Sequence, residues 1–168
     1  DATTFLRGDN TFAEAGGGKV LQVVSVNKTS GFTSSSTSFT DVTGFTANIT
    51  PSATSSKILV FVSISSSATT GGRYAFNLVR DGSDILLGDA AGSRTRTSSA
   101  AIGGDGYNID SISIIYLDSP SSTSSTTYKI QGRTEGSASF LLNKTASDGD
   151  ASTVFRPAST ITLIEIGE

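Results

Sequence analysis

Apolar and polar residues alternate with a period of two along most of this chain, in runs of about six to nine residues rich in Val, Ile, Thr, Phe and Tyr. β-branched and aromatic side chains favour a pleated, half-buried surface. The runs predict strands at Val20–Asn27, Thr37–Val42, Phe45–Thr50, Lys57–Ser65, Arg73–Arg80, Asp84–Leu87, Ser111–Leu117, Thr126–Arg133, Ser139–Leu142 and Thr160–Ile166. Four of them break the alternation, being apolar on both faces. In Lys57–Ser65, Ile58, Val60, Val62 and Ile64 share one face and Leu59 and Phe61 the other. In Ser111–Leu117, Ile112, Ile114 and Tyr116 oppose Ile115 and Leu117, and Val20–Val26 and Ile161–Ile166 read alike. Thr126–Arg133 instead sets Tyr128 and Ile130 against Thr127, Lys129 and Gln131. A strand apolar on both faces must be covered on both. The outer face of a two-layer sandwich normally meets water, so a second copy of the chain is the expected cover.

Turn chemistry supports the same division. Asp81-Gly82-Ser83 is a tight-turn signal between two runs, because Gly adopts positive φ cheaply. Pro51 and Pro120 fall just outside strands, where a missing backbone donor does no harm. Only Ala13–Ala15 carries a trace of helical period. The expected fold is all-β, a jelly-roll sandwich of about ten antiparallel strands, assembled as an oligomer.

Composition narrows the chemistry. The 168 residues suit one domain with a sizeable core. With no Cys and no His, a Ser-His-Asp triad, a Cys-His pair, a disulfide or a His-based zinc site cannot be built. Two carboxylates would suffice for a glycosidase, yet no Asp or Glu pair has a spacing that singles it out. No catalytic residue and no cofactor is expected. A net charge of -3 argues against a nucleic-acid partner, which usually meets a basic stripe. No stretch approaches the roughly 18 to 20 apolar residues of a membrane span, so membrane insertion is not expected. The lack of Met and the opening at Asp1 suggest a piece of a longer chain.

Thr4-Phe5-Leu6-Arg7-Gly8-Asp9-Asn10-Thr11-Phe12-Ala13 precedes Gly16-Gly17-Gly18. This stretch resembles the "LRGDGTW" signature that ends the shaft of many bacteriophage tail fibres, where the distal knob begins. Leu6, Arg7, Gly8, Asp9 and Thr11 match it, while Asn10 replaces the usual Gly and Phe12 the usual Trp. The resemblance implies the end of a fibre shaft and a Gly hinge over residues 1–18, a β-jelly-roll knob over 19–168, and an upstream shaft as partner. It also implies a place in the virion, at the distal end of a tail or head fibre. Ser38-Phe39-Thr40-Asp41-Val42, Leu78-Val79-Arg80-Asp81-Gly82-Ser83 and Thr160-Ile161-Thr162-Leu163-Ile164-Glu165-Ile166 resemble phrases of phage structural proteins. The strand order is similar to the trimeric jelly-roll heads of the C1q and tumour-necrosis-factor superfamily. There the first, last and two middle strands face the three-fold axis; by order, these are the four doubly apolar strands.

The same mapping puts Pro51–Ser56, Asp81–Ser83 and Asp118–Ser125 at the shaft end. Lys28–Ser36, Ser66–Gly72, Gly88–Asp110 and Thr134–Ser159 go to the far end, where long loops on a rigid scaffold suit binding. Arg94, Arg96, Tyr107 and Asn108 are candidates for a sugar platform: a ring packs a pyranose face while Asn and Arg bind its hydroxyls or a carboxylate. Lys144 and Arg156 are further ligand candidates. Asp148 and Asp150 flank Gly149 at a spacing calcium can use, although a plain turn explains them as well. Asn27-Lys28-Thr29, Asn48-Ile49-Thr50 and Asn143-Lys144-Thr145 fit the N-glycosylation pattern. The function expected is binding of a host-surface polysaccharide or another cell-surface receptor by a phage fibre knob. The alternatives are a purely structural decorating or capping trimer, and a small polysaccharide depolymerase domain.

Overall fold

The computed structural model describes residues 4–6, 8, 12–14, 19–69 and 71–167. Two short strands, β1 (Thr4–Leu6) and β2 (Phe12–Glu14), pair antiparallel. Arg7, Asp9, Asn10 and Thr11 of the fibre-like motif, and Gly16–Gly18, lie outside the described residues.

The remaining strands form two antiparallel sheets. The first contains β3 (Lys19–Lys28), β4 (Phe32–Ser34), β6 (Lys57–Ala68), β10 (Asp110–Asp118), β12 (Phe140–Leu142) and β13 (Ser159–Gly167). The second contains β5 (Thr40–Ile49), β7 (Arg73–Arg80), β8 (Ser83–Ile85), β9 (Ser99–Ile102) and β11 (Thr126–Thr134). β6 pairs with β10 along one edge, and with β13 and then β12 along the other. β3 and β4 follow outside β13 and β12. The first sheet is thus four strands wide: β3/β4, β13/β12, β6, β10. In the second sheet the order is β5, β11, β7, and then β8 and β9 share the outer edge of β7. This is a jelly-roll-like β-sandwich. The four strands that the sequence marked as apolar on both faces lie side by side in its first sheet.

Boundaries differ in instructive ways. The two runs Thr37–Val42 and Phe45–Thr50 are one strand, β5, whose register against β11 shifts between Lys129 and Gln131. Val42 and Phe45 are both buried although they stand three positions apart, an odd offset. The irregularity, with Gly44 at φ +75°, restores the inward parity between them. β1, β2, β4 and β9, each three or four residues long, were not anticipated from the sequence, whereas the equally short β8 and β12 were.

The core lies between the sheets. Ile58, Val60, Val62, Ile64, Ile161 and Leu163 face Phe45, Ile49, Phe76, Leu78, Tyr128 and Ile130. Phe76 meets Phe140 edge-on at 5.5 Å, and Tyr74 meets Phe76 at 5.7 Å. Gly132 sits beneath that aromatic group. A Cβ there would stand 2.5 Å from Phe140 Cζ and 3.0 Å from Phe76 Cε1.

Buried polar groups pin the ends of strands. Asp118 accepts from Arg80 Nη1 at 2.7 Å and from the Tyr128 hydroxyl at 2.5 Å, tying β10 to the opposite sheet. Tyr74 donates to Asp110 at 2.7 Å at the other end of β10. Burial above all, and then the nearby carboxylate, push the tyrosine pKa values upward. Glu165, on β13, is buried and accepts from the Ser52 amide and hydroxyl, both at 2.6 Å. Burial pulls its pKa up, but the Ser52 donors outweigh that, leaving it below the ordinary value.

Two outcomes follow. Gly132→Ala forces Phe140 or Phe76 to move and should cost about 1–3 kcal/mol by overpacking, read as a lower urea midpoint with unchanged slope. The Glu165 contribution is complete at neutral pH and disappears as the pH falls through the ordinary carboxylate range toward the lower folded value. Glu165→Gln should lower the urea midpoint at pH 7 and flatten its fall with acidification.

Candidate functional site

The outer faces of the two sheets differ in chemistry. On the first sheet, β-register sets the outward residues in rows across the four strands. One row reads Val23, Ile164, Leu59, Leu117, and the next Ser25, Thr162, Phe61, Ile115. Toward the far end the row is Asn27, Thr160, Ser63, Ser113. Lys57 is the one charged side chain among the described outward residues of these strands, and it sits at the opposite margin beside Ile166. Val23 is 57 % exposed, Ile115 60 % and Leu117 49 %, so this apolar band lies open on a single chain. Contiguous exposed apolar surface of this kind marks an interaction face. The second sheet is wet by contrast. Asp41 accepts from Lys129 Nζ and Gln131 Nε2, each at 2.7 Å, and these two donors, helped by the Lys129 charge, hold its pKa below the ordinary value.

At the end of the sandwich opposite the start of β3, three of the candidate residues gather. Arg156 Nη2 lies 2.6 Å from Asp148 Oδ2 and Lys144 Nζ lies 3.8 Å from the same oxygen. Both cationic side chains pass over Gly31, where a Cβ would stand 3.1 Å from Lys144 Cδ. The Tyr107 loop adjoins this segment through the Ser147 amide, which donates to the Gly106 carbonyl at 2.9 Å. Tyr107 is 63 % exposed, and Asn108 folds its amide back over Gly104. Asp148 is therefore engaged by the loop's own cations, and Asp150 is exposed. No group of three or more Asp or Glu fit to hold a metal ion occurs among the described residues.

Arg94 and Arg96 lie elsewhere, which corrects the assignment of all of Gly88–Asp110 to the far end. Their segment crosses the flank of the second sheet. Thr97 Oγ1 and the Ser98 amide donate to the Phe76 carbonyl at 2.8 and 3.1 Å, and Ser98 Oγ accepts from the Leu78 amide at 3.0 Å. Asn77 and Val79, which point outward from β7, are buried beneath this cover. Arg94 Nη1 donates to the Ala91 carbonyl and Arg96 Nε to the Gly88 carbonyl, so both arginines brace their own loop. β9 then runs back along β7, and only residues 103–109 reach the far end with Tyr107. Alternation cannot reveal this path, because the segment is held by hydroxyl-to-backbone bonds.

The base of the Lys144 segment is rigid. Asn143 is fully buried at φ +56°, its Nδ2 donates to the Lys28 and Ser30 carbonyls, and its Oδ1 accepts from Ser159 Oγ at 2.6 Å. That engagement also removes Asn143 as a glycan acceptor in the folded chain, whereas Asn27 and Asn48 are exposed.

A cavity of about 490 Å3 that sequence reasoning missed lies beside the crossing segment, lined by Arg73, Ala75, Thr95, Ala100, Ile102, Arg133 and Glu135 among others. Arg73 and Glu135 are paired at 3.3 Å on its rim and also border a second hollow at Gly71, Gly72, Gly136 and Ser137. Its residues come from three strands and a crossing loop, so no local spacing announces it.

No protein-family model matches the chain, and no curated protein matches it. Among solved structures it is similar to those of infectious bursal disease virus, Gt strain (14 % identity, TM-score 0.48) and Gx strain (14 % identity, TM-score 0.47). The matches cover 93 % of this chain and 42 % and 41 % of those chains. The VP2 subviral particle of the same virus matches at 12 % identity and TM-score 0.39, with 93 % and 42 % covered. This chain thus spans under half the length of each. Likeness this weak fixes neither family nor function.

Asp148→Asn should release Arg156 and Lys144 with little loss of stability, since exposed ion pairs contribute about 0–1 kcal/mol. Hydrogen exchange should then quicken over residues 147–156 and stay unchanged at Asn143.

Proposed function

We propose that the chain is a homotrimeric structural module of a virion, seated on a fibre and binding a host-surface glycan through its far-end loops without covalent chemistry. The observation that carries this reading is the open apolar face of the first sheet. A face without charge over its centre needs a partner equally free of charge, and the same face of another copy is one. The polar row of Asn27, Thr160, Ser63 and Ser113 can pair with its counterparts, as the apolar rows can with theirs. Covering this sheet leaves the far-end loops free. Three copies around an axis would let weak contacts at Tyr107, Asn108, Lys144 and Arg156 add through avidity.

A structural role without a receptor is the second reading, favoured by the arginines that the loops already use internally: Arg94, Arg96 and Arg156. A depolymerase has less support. The buried carboxylates Asp118 and Glu165 and the half-buried Asp110 serve structural hydrogen bonds, and Glu135 in the flank cavity is paired with Arg73.

Ultracentrifugation should find a trimer, with Phe61→Glu and Ile115→Asp each giving a folded monomer. A wild-type monomer would remove the assembly. The trimer should bind intact host bacteria and not cells stripped of surface polysaccharide, and Tyr107→Ala should weaken that binding at unchanged mass. A trimer that ignores every host offered, its own virus's included, supports the second reading.

A further inference from the structure

The flank cavity is built from two rows of the second sheet and a lid of loop. Register places Arg133, Ala75 and Ala100 side by side across β11, β7 and β9. The next row holds Arg73 beside Ile102, and Glu135 joins it by donating its amide to the Arg73 carbonyl at 3.0 Å. Two methyl groups therefore make a flat apolar floor between a guanidinium on one side and the 62 %-exposed Ile102 on the other. Thr95 overhangs from the crossing segment.

The two arginines are in different electrostatic states. Arg73 has its carboxylate in Glu135. Arg133 is half-buried, and among the described residues no carboxylate lies within ion-pair distance of it. Its Nη1 donates to Thr95 Oγ1 at 3.0 Å, its Nε makes a long contact to the Thr134 carbonyl at 3.4 Å, and its Cζ lies over the Phe39 ring, 5.9 Å from the ring centre. These contacts hold the guanidinium in place without neutralising it. A guanidinium carries five donors in a fixed fork and binds carboxylates in a bidentate manner. A held cation with spare donors at the wall of a cavity is arranged for an anion.

The rest of the lining says which anion. The volume falls within the about 300–1,000 Å3 of small-molecule sites. A flat methyl floor suits the C–H face of a pyranose, and Thr95 and Glu135 at the rim can take its hydroxyls. We infer that this cavity binds an acidic sugar residue, whose carboxylate pairs with Arg133 and whose ring packs on Ala75 and Ala100 beside Ile102. This site goes beyond the far-end reading, since it uses none of Tyr107, Asn108, Lys144 or Arg156.

The test is an amide and methyl NMR titration of the full chain with trigalacturonate. Three further arms use its methyl ester, neutral galactotriose and a hexaglutamate peptide. Shifts should appear at Ala75, Ala100, Ile102 and Arg133 with the acid, and affinity should fall about tenfold with the ester, the loss of one charge-assisted pair. Arg133→Gln should match that loss, Arg133→Lys should restore part of it, and Ala100→Phe should block the floor while melting like wild type. Equal binding of acid and ester, equal binding of hexaglutamate, or no shift at the cavity overturns the inference. Loss of saccharide shifts with cell binding intact would sink this site alone; intact shifts with no cell binding would sink the far-end reading alone.

Discussion

The register of β6 governs both surfaces of the first sheet. Its twelve residues pair with β10 along one edge and with β13 and β12 along the other, so three strands take their alternation from it. A slip of one residue would exchange Ile58, Val60, Val62 and Ile64 for Leu59, Phe61 and Ser63 in the core. Both sets contain large apolar side chains, so hydrophobicity alone discriminates weakly between the two registers. The choice is made by what each set carries with it. The inward set brings an unbroken aliphatic row against Phe45, Phe76 and Leu78, and the outward set would bring Lys57 and Ser63 inside.

Buried polar groups add the discrimination that the apolar pattern lacks. Asp118 can meet Arg80 and Tyr128 only when β10 ends at that point, because all three lie between the sheets. Glu165 accepts two bonds from Ser52, and Asn143 satisfies Lys28, Ser30 and Ser159 together. Any one of these left unpaired in a dry core would cost about 1–3 kcal/mol. A shifted register strands several at once, which is how a few polar residues fix a sandwich whose strands are apolar on both sides.

The sandwich was legible because period-two patterning reports directly on which face of a strand is buried. Arg73–Arg80 was found to the residue, and the four doubly apolar strands proved to be neighbours. What escaped has physical causes. β5 was split because Gly44 hides a parity change that joins Val42 to Phe45. β4 (Phe32-Thr33-Ser34) and β9 (Ser99-Ala100-Ala101-Ile102) carry a single large apolar residue each, too little for a period to emerge. The candidate residues were chosen by chemical type within loops, and loop paths depend on bonds such as Thr97 to the Phe76 carbonyl that no spacing encodes. Tyr107, Lys144 and Arg156 therefore came out on adjoining loops, while Arg94 and Arg96 did not join them.

The contrast between the outer faces explains why one chain would carry both an assembly surface and a ligand surface. Ions and amides pattern the second sheet: Lys129 with Asp41, Gln131 with Asp41, Arg73 with Glu135. Such groups stay hydrated at little cost and would be expensive to bury against another protein. The first sheet offers Phe61, Ile115 and Leu117 instead, which cost nothing to desolvate and gain by it. In the proposed trimer the first sheet would be covered, and the second, with the crossing segment and its cavity, would face water. Arg133 lies on this second sheet, where a charged ligand could reach it whether or not the first sheet is covered.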